Sequence, residues 1–315
     1  MTDVTATATP ISWRDYYELT KPRVVMLMLI TAAVGSFLAT PGIPPLDVMF
    51  AALVGIALMG GSAAVINHVA DSHVDARMAR TMNRPVATGR VSPMRAIAFS
   101  AAIGIAGMVV LLAFVNPITA WLNLASWFGY GLFYTLYLKR ATPQNIVIGG
   151  IFGAAPPLFG WTAVTGTIDP GGILLVLIIF IWTPPHFWAL AIDRREDYAR
   201  TDVPMLPITH GIAYTRLHIL LYTVLLAAVT LLPFTIGMLG PIYLAGALAL
   251  NAVFLYWAVR LWLDRDPKDA INTFKYSILY LALLFPLMLV DHYLVASAVV
   301  SAPESALEFQ RLNSI

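Results

Sequence analysis

Nonpolar residues run along the chain in blocks of about twenty, separated by short polar stretches. Nine such blocks can be counted, roughly 24–40, 47–68, 95–115, 118–138, 144–165, 172–192, 214–236, 240–262 and 275–299. A helix needs about 20 apolar residues to cross a hydrocarbon layer of about 30 Å, so the pattern predicts an all-α polytopic membrane protein with nine transmembrane helices. The longest polar stretches are only about 20–25 residues, which leaves no room for a large soluble domain. The predicted units are an N-terminal segment 1–23, a membrane bundle 24–299 and a tail 300–315.

Positive charge orients the blocks. Of the 19 Lys and Arg, 18 fall in the N-terminal segment and at or near the loops after blocks 2, 4, 6 and 8; Arg311 in the tail is the exception. Cytoplasmic loops carry the excess of Lys and Arg, so the N-terminus is predicted inside and the C-terminus outside. Trp13, Tyr16 and Tyr17 suit an interfacial segment before the first crossing. The loops after blocks 2 and 6 are acidic as well as basic, which puts the candidate chemistry at the cytoplasmic face.

Composition agrees. The chain of 315 residues is 59% hydrophobic and 11% charged, against about a quarter charged in soluble domains, and its mean hydropathy is +0.77. A net charge of +2 gives no argument for nucleic acid. The absence of cysteine removes disulfides, thiolate nucleophiles, iron–sulfur clusters and covalently attached haem. The N-terminus MTDVTATATPISWRDYYELTKPR has neither the basic start and short apolar core of a signal peptide nor the composition of a mitochondrial presequence. A bacterial inner membrane is the simplest home.

The second block runs into NHVADSHVDARMARTMNRP, residues 67–85. As a continuation of the helix, Asn67, Asp71 and Asp75 would span about 80° of one face and roughly 12 Å of length. Two carboxylates at i,i+4 repel, and a helix C-terminal end is the wrong end of the dipole for them. Something must offset this. A hard divalent cation with oxygen ligands would, and so would pairing with Arg77, Arg80 or Arg84. The sixth block ends HFWALAIDRREDYARTDVPMLP, repeating the spacing at Asp193 and Asp197, 122 residues on. If the two helix ends face each other, four carboxylates and an amide converge on a site for Mg²⁺, one ion or two, and an anionic ligand. Lys139 and Arg140 close the fourth block on the same side. The cations serve either positive-inside anchoring or neutralisation of a metal-bound diphosphate.

NxxxDxxxD followed by RTxxRP resembles the first signature of the UbiA superfamily of intramembrane prenyltransferases, and Asp193 to Asp197 match its second. Two further stretches, TPQNIVIGGIFGAAPPLFGW (142–161) and WTPPHFWALAI…DYARTDVPMLP (182–207), are similar to the haem-farnesylating branch, the protohaem IX farnesyltransferases or haem O synthases. The resemblance extends from YYELTKPRVV to the last block and implies a nine-helix prenyltransferase bundle. It implies Mg²⁺, farnesyl diphosphate and haem B, the haem as substrate rather than cofactor. Haem A synthase or terminal-oxidase assembly proteins are the implied protein partners.

On that resemblance Asn67, Asp71, Asp75, Asp193 and Asp197 hold metal and diphosphate, and Arg77, Arg80, Arg84, Lys139 and Arg140 clamp the diphosphate. Tyr134 is either near the prenyl cation, where an aromatic face stabilises positive charge, or an interfacial aromatic. His186 lies seven residues before Asp193, about 10 Å deeper on nearly the same face. It is a candidate to ligate haem iron, to orient the porphyrin or to assist water addition, and otherwise a packing histidine. His73 is placed beside the acidic site. Pro184 and Pro185 predict a break in the sixth crossing. Gly60-Gly61-Ser62 and Gly149-Gly150 either allow close helix packing or leave room for a flat macrocycle. Three rivals stay open. A prenyltransferase of a quinone-ring precursor shares the first motif, but the 142–161 and 182–207 stretches point away from it. A secondary transporter would gather charge at the midplane instead. A haem-binding assembly factor would need no Mg²⁺.

Overall fold

The structure is a computed structural model that describes residues 12–78, 81–200 and 203–300, with side chains as far as 294. Its described residues fold into helices and connecting turns. A short helix α1 (Trp13–Leu19) precedes α2 (Pro22–Leu38), and α3 (Leu46–Ala70) ends in the single turn α4 (Ser72–Asp75). Then follow α5 (Pro93–Phe114) and α6 (Pro117–Trp127). The latter continues through a π-helical segment, Phe128–Leu138, into α7 (Lys139–Ala141). Two half-length helices, α8 (Asn145–Ala154) and α9 (Pro156–Thr165), lead to α10 (Pro170–Asp193). The short α11 (Arg195–Ala199) and α12 (Leu206–Thr209) precede α13 (Ile212–Val229) and α14 (Leu232–Thr235). The chain closes with α15 (Pro241–Trp262) and α16 (Asp269–Val300).

Local sequence explains where these helices start. Proline occupies the first turn of α2, α5, α6, α9, α10 and α15, where its missing N–H has no intrahelical partner to lose. Ser12 and Asp15 form a capping box on α1, and Ser92 and Asn116 cap α5 and α6. The N-terminus of α15 is capped from a distance. The fully buried Asp291 of α16 accepts the backbone N–H groups of Gly240 and of Tyr243, the latter at 2.9 Å, so this acid is consumed by structure.

Seven described helical stretches are long and apolar enough to cross a membrane, α8 with α9 and α13 with α14 each counting as one, and α1 with α2, bent by 52°, makes an eighth if counted as one span. Only helices satisfy every backbone group inside one segment, as lipid requires. Large apolar side chains face outward, among them Ile105 and Phe114 of α5 and Phe50 of α3, which suits hydrocarbon as solvent. Inside, α3 packs along α5, and α2 along α9. At the second contact the backbones touch: a Cβ on Gly160 would stand 1.8 Å from the Ala32 carbonyl oxygen, and one on Gly35 2.1 Å from that of Pro157. Ser36 Oγ lies 2.9 Å from the Gly160 carbonyl oxygen, to which it donates.

Two expectations are corrected. Pro184 and Pro185 do not break the sixth apolar block: α10 runs unbroken from Pro170 to Asp193. Both prolines are buried, Thr183 Oγ donates to the Ile179 carbonyl at 2.8 Å, and packing against α8, α13 and α16 outweighs the lost ladder bonds. The acidic motif after α3 is not one regular helix; the chain turns at Asp71 (φ −90°, ψ 0°) before α4. The glycine runs both pack closely and border open space, since Gly60, Gly149 and Gly150 also line the central cavity. Gly149 sits under the Tyr134 ring, Gly150 under Thr183 and Gly61 under Thr20.

Candidate active site

The turn at Asp71 leaves two local hydrogen bonds intact, Asp71 N–H to Asn67 O at 3.0 Å and Asp75 N–H to Asp71 O at 2.8 Å. Asn67, Asp71 and Asp75 therefore stay stacked on one side, all buried, with Asp71 3% and Asp75 4% exposed. Buried carboxylates need partners. Asn67 Nδ2 donates to Asp71 Oδ2 at 2.9 Å, and Lys139 Nζ to the same oxygen at 2.6 Å. Arg84 Nη1 donates to both oxygens of Asp75, at 2.8 and 2.7 Å, a charge-assisted contact shared by one nitrogen. Arg140 lies 4.0 Å from Asp71 Oδ1 and donates to the Ala70 carbonyl at 3.4 Å.

Lysine 139 reaches this site because the helix before it is wound loosely. Between Phe128 and Leu138 the backbone bonds skip five residues, as in Lys139 N–H to Tyr134 O, and Thr135 Oγ donates to the Tyr130 carbonyl at 2.7 Å. Such π turns occur at functional sites. This one stacks Tyr130 on Tyr134, centroids 5.5 Å apart and planes 14° apart, and brings Thr135 to 3.4 Å from Asn67.

The second motif looks different. Asp193 is exposed and pairs with its neighbour Arg194 at 3.3 Å. Asp197, on α11, is half-buried. Among the described residues, no three His, Asp or Glu side chains lie close enough to share one ion. His73 and Arg77 are exposed on and just after α4; Arg80 lies outside the described residues.

Below the acidic cluster opens a cavity of about 720 Å³, lined by α2, α3, the π-helical segment, α8, α10 and α16. Its wall is mostly apolar; Lys21, Tyr130, Tyr134, Thr183 and His186 are among its few polar groups. His186 is held there firmly, stacked between Trp182 and Phe274 at centroid distances of 4.2 and 4.7 Å, with Nδ1 2.7 Å from Ser277 Oγ. An apolar chamber with charged groups at one end suits an amphiphile with an anionic head.

The UbiA prenyltransferase family model matches residues 28–300. The chain belongs to the UbiA prenyltransferase family. It is 61% identical over 289 residues to a protoheme IX farnesyltransferase of Teredinibacter turnerae, covering 92% of this chain and 93% of that one. A protoheme IX farnesyltransferase of Marinobacter nauticus is 60% identical over 291 residues, covering 92% and 96%. Among solved structures, a digeranylgeranylglyceryl phosphate synthase superposes with a TM-score of 0.77 at 20% identity, over 89% of this chain and 98% of that one. A UbiA homolog from Archaeoglobus fulgidus bound to GPP and Mg²⁺ gives 0.60 at 16% identity, over 87% and 99%. These structures show that this chain has the UbiA fold.

Within this UbiA fold the first motif has the chemistry a hard cation needs. Its donors are oxygens, and Asp71 Oδ1 is buried with no hydrogen-bond partner among the described residues, a vacancy that a cation or a donor would fill. One residue of this site escaped the sequence reading. Lys21, in the left-handed region at φ 51° before Pro22, donates from Nζ to Asn67 Oδ1 and lines the cavity. Its signal was available in the sequence: a lysine directly before the proline that opens an apolar helix has its backbone held at the N-terminal end of that helix. It was read only as one of several orienting charges.

Proposed function

We infer that this protein transfers the farnesyl group of farnesyl diphosphate to a vinyl group of haem B, with addition of water, to give haem O. One observation carries the reading: a buried acid–base cluster, Asn67, Asp71 and Asp75 with Lys139, Arg84 and Lys21, caps a long apolar cavity whose wall holds a pinned histidine. About 60% identity to two protoheme IX farnesyltransferases, across more than nine-tenths of both partners, supports the choice of haem as acceptor over a quinone ring.

Magnesium, held by Asn67, Asp71 and Asp75 on one side and Asp193 and Asp197 on the other, would supply charge stabilisation to the departing diphosphate. The chain's own residues do the rest. Lys139, Arg84 and Lys21, with Arg140, Arg77 and Arg80 nearby in sequence or space, neutralise phosphoryl oxygens as charge develops on them. The Tyr130–Tyr134 stack presents ring faces to the allylic cation left behind. The apolar wall keeps bulk water from quenching that cation before the vinyl carbon reaches it. No nucleophilic side chain is needed, which fits a chain without cysteine.

The bundle spans a bacterial inner membrane nine times: the seven long helical stretches, the bent α1–α2 pair, and the run from α6 through the π segment to α7. The N-terminus and the site face the cytoplasm, residues 24–299 form the enzyme domain, and 1–23 and 300–315 flank it. Positive charge at one end of the helices supports this orientation. The product's consumers, haem A synthase or terminal-oxidase assembly proteins, are its expected neighbours. The test is to incubate membranes containing the protein with haem B and farnesyl diphosphate, with and without Mg²⁺, and to weigh the extracted haem. A mass gain of one farnesyl group plus one water, dependent on Mg²⁺, is expected; unmodified haem in the presence of folded protein and metal overturns the reading.

A further inference from the structure

His186 has a tautomer that its neighbours dictate. The hydroxyl of Ser277 carries one proton and lies 2.6 Å from the Phe274 carbonyl oxygen, to which it donates. Toward His186 Nδ1, at 2.7 Å, Ser277 Oγ is then an acceptor, so Nδ1 carries the hydrogen. In the neutral ring the lone pair is left on Nε2. The ring is also clamped in the plane that this bond requires. Trp182 covers one face at 4.2 Å and 18°, and Phe274 the other at 4.7 Å and 29°. Trp182 in turn donates its indole N–H to the Ser277 carbonyl at 2.8 Å. Trp182, His186 and Phe274 all line the cavity. A packing histidine would not need a donor locked on one side and both faces sandwiched at the edge of an open chamber.

We propose that His186 ligates the iron of haem B through Nε2, and that Ser277 is a positioning residue that keeps this nitrogen unprotonated and aimed. The proposal rests on the haem reading above and adds how the macrocycle is anchored. A hydrogen bond to the far nitrogen of a ligating imidazole fixes its orientation and raises its basicity. A histidine on iron is a common way for a protein to hold haem. Here the bond would anchor the macrocycle on the α10–α16 side of the cavity. Ligation forms no covalent bond within the porphyrin and needs no redox partner.

The experiment uses the purified full chain in detergent, with haem B added and farnesyl diphosphate omitted. The wild type is expected to show the optical spectrum of histidine-ligated haem and, for the ferrous form, an iron–imidazole stretch in resonance Raman. His186→Ala and His186→Gln should lose that band and bind haem at least about tenfold more weakly, and added imidazole should restore the spectrum of His186→Ala. Ser277→Ala should keep the band but shift it, with haem binding weakened by about tenfold. Metal-free protoporphyrin IX should bind equally to wild type and His186→Ala. Binding of farnesyl thiodiphosphate with Mg²⁺ should be unchanged in all three variants, which certifies their folding. An iron–imidazole band that survives in both His186 variants overturns the proposal, as does an equal loss of affinity for haem and for the metal-free ring. Either result in a wild-type protein that makes haem O removes only the iron assignment. Wild-type protein that leaves haem B unmodified removes the functional reading instead.

Discussion

The two acidic motifs share a spacing and almost nothing else. Asp71 and Asp75 are buried, and each carries a cation from elsewhere in the chain, Lys139 at 2.6 Å and Arg84 at 2.7 Å. Asp193 keeps a 27% exposed side chain and pairs with the arginine next to it in sequence, while Asp197 sits half-buried on the separate short helix α11. A buried charge is tolerated only when paired, so folding itself supplies partners to the first motif, with Asp71 Oδ1 left over. An exposed carboxylate needs no such arrangement. The difference teaches that the same spacing in sequence can end in a buried, paired cluster at one helix end and an open pair at another.

That contrast can be broken most decisively at Asp71. Asp71→Ala should lower kcat by about 10²–10³-fold, and it should also lower the melting temperature. It strands Lys139, whose side chain is 21% exposed; stranding one partner of a fully buried pair costs about 3–5 kcal/mol, and less here because Lys139 reaches solvent. Wild-type turnover in this variant would remove the first motif from the chemistry. Asp193→Ala should lose a comparable share of kcat while its melting temperature stays within the small range of surface substitutions, about 0.5 kcal/mol. A large thermal loss there would mean that the second motif is as structural as the first, and the comparison would collapse. The cations sharpen it further. Lys139→Met should raise KM for farnesyl diphosphate by about tenfold or more, the worth of one charged hydrogen bond, with kcat less affected; an unchanged KM would leave Lys139 a purely structural counter-ion. The smallest effect is expected at Lys21→Met, a severalfold rise in the same KM with little change in melting temperature, since Asn67 keeps its bond to Asp71 at 2.9 Å. Titration of farnesyl thiodiphosphate against each variant checks both lysines.

Much of this was legible along the chain, and particular residues show why. The apolar blocks at 47–68, 95–115 and 240–262 correspond closely to α3, α5 and α15, because lipid leaves helices as the only open-ended solution. Asn67, Asp71 and Asp75 announce themselves because three polar groups at four-residue spacing at the end of an apolar helix need a reason. Arg84 is close in sequence and could be named as a partner for the same motif. Other features had no local signal. Pro184 and Pro185 read as a break, yet α10, packed among three helices, stays unbroken through them. The π-helical segment has no composition that marks it, and it sets where Lys139 points.

From the amino-acid order alone come the all-helical membrane architecture, the side on which charge collects and the two carboxylate pairs, since these depend on periodicity and local composition. Tertiary structure decided which cations meet which acids: Lys139 is 68 residues from Asp71, and Lys21 is 46 from Asn67. It also decided that one acidic pair is buried and the other open, and that Ser277 sets the tautomer of a histidine 91 residues away. Pairing, burial and hydrogen-bond direction depend on which helices pack together, and no stretch of the chain carries that by itself.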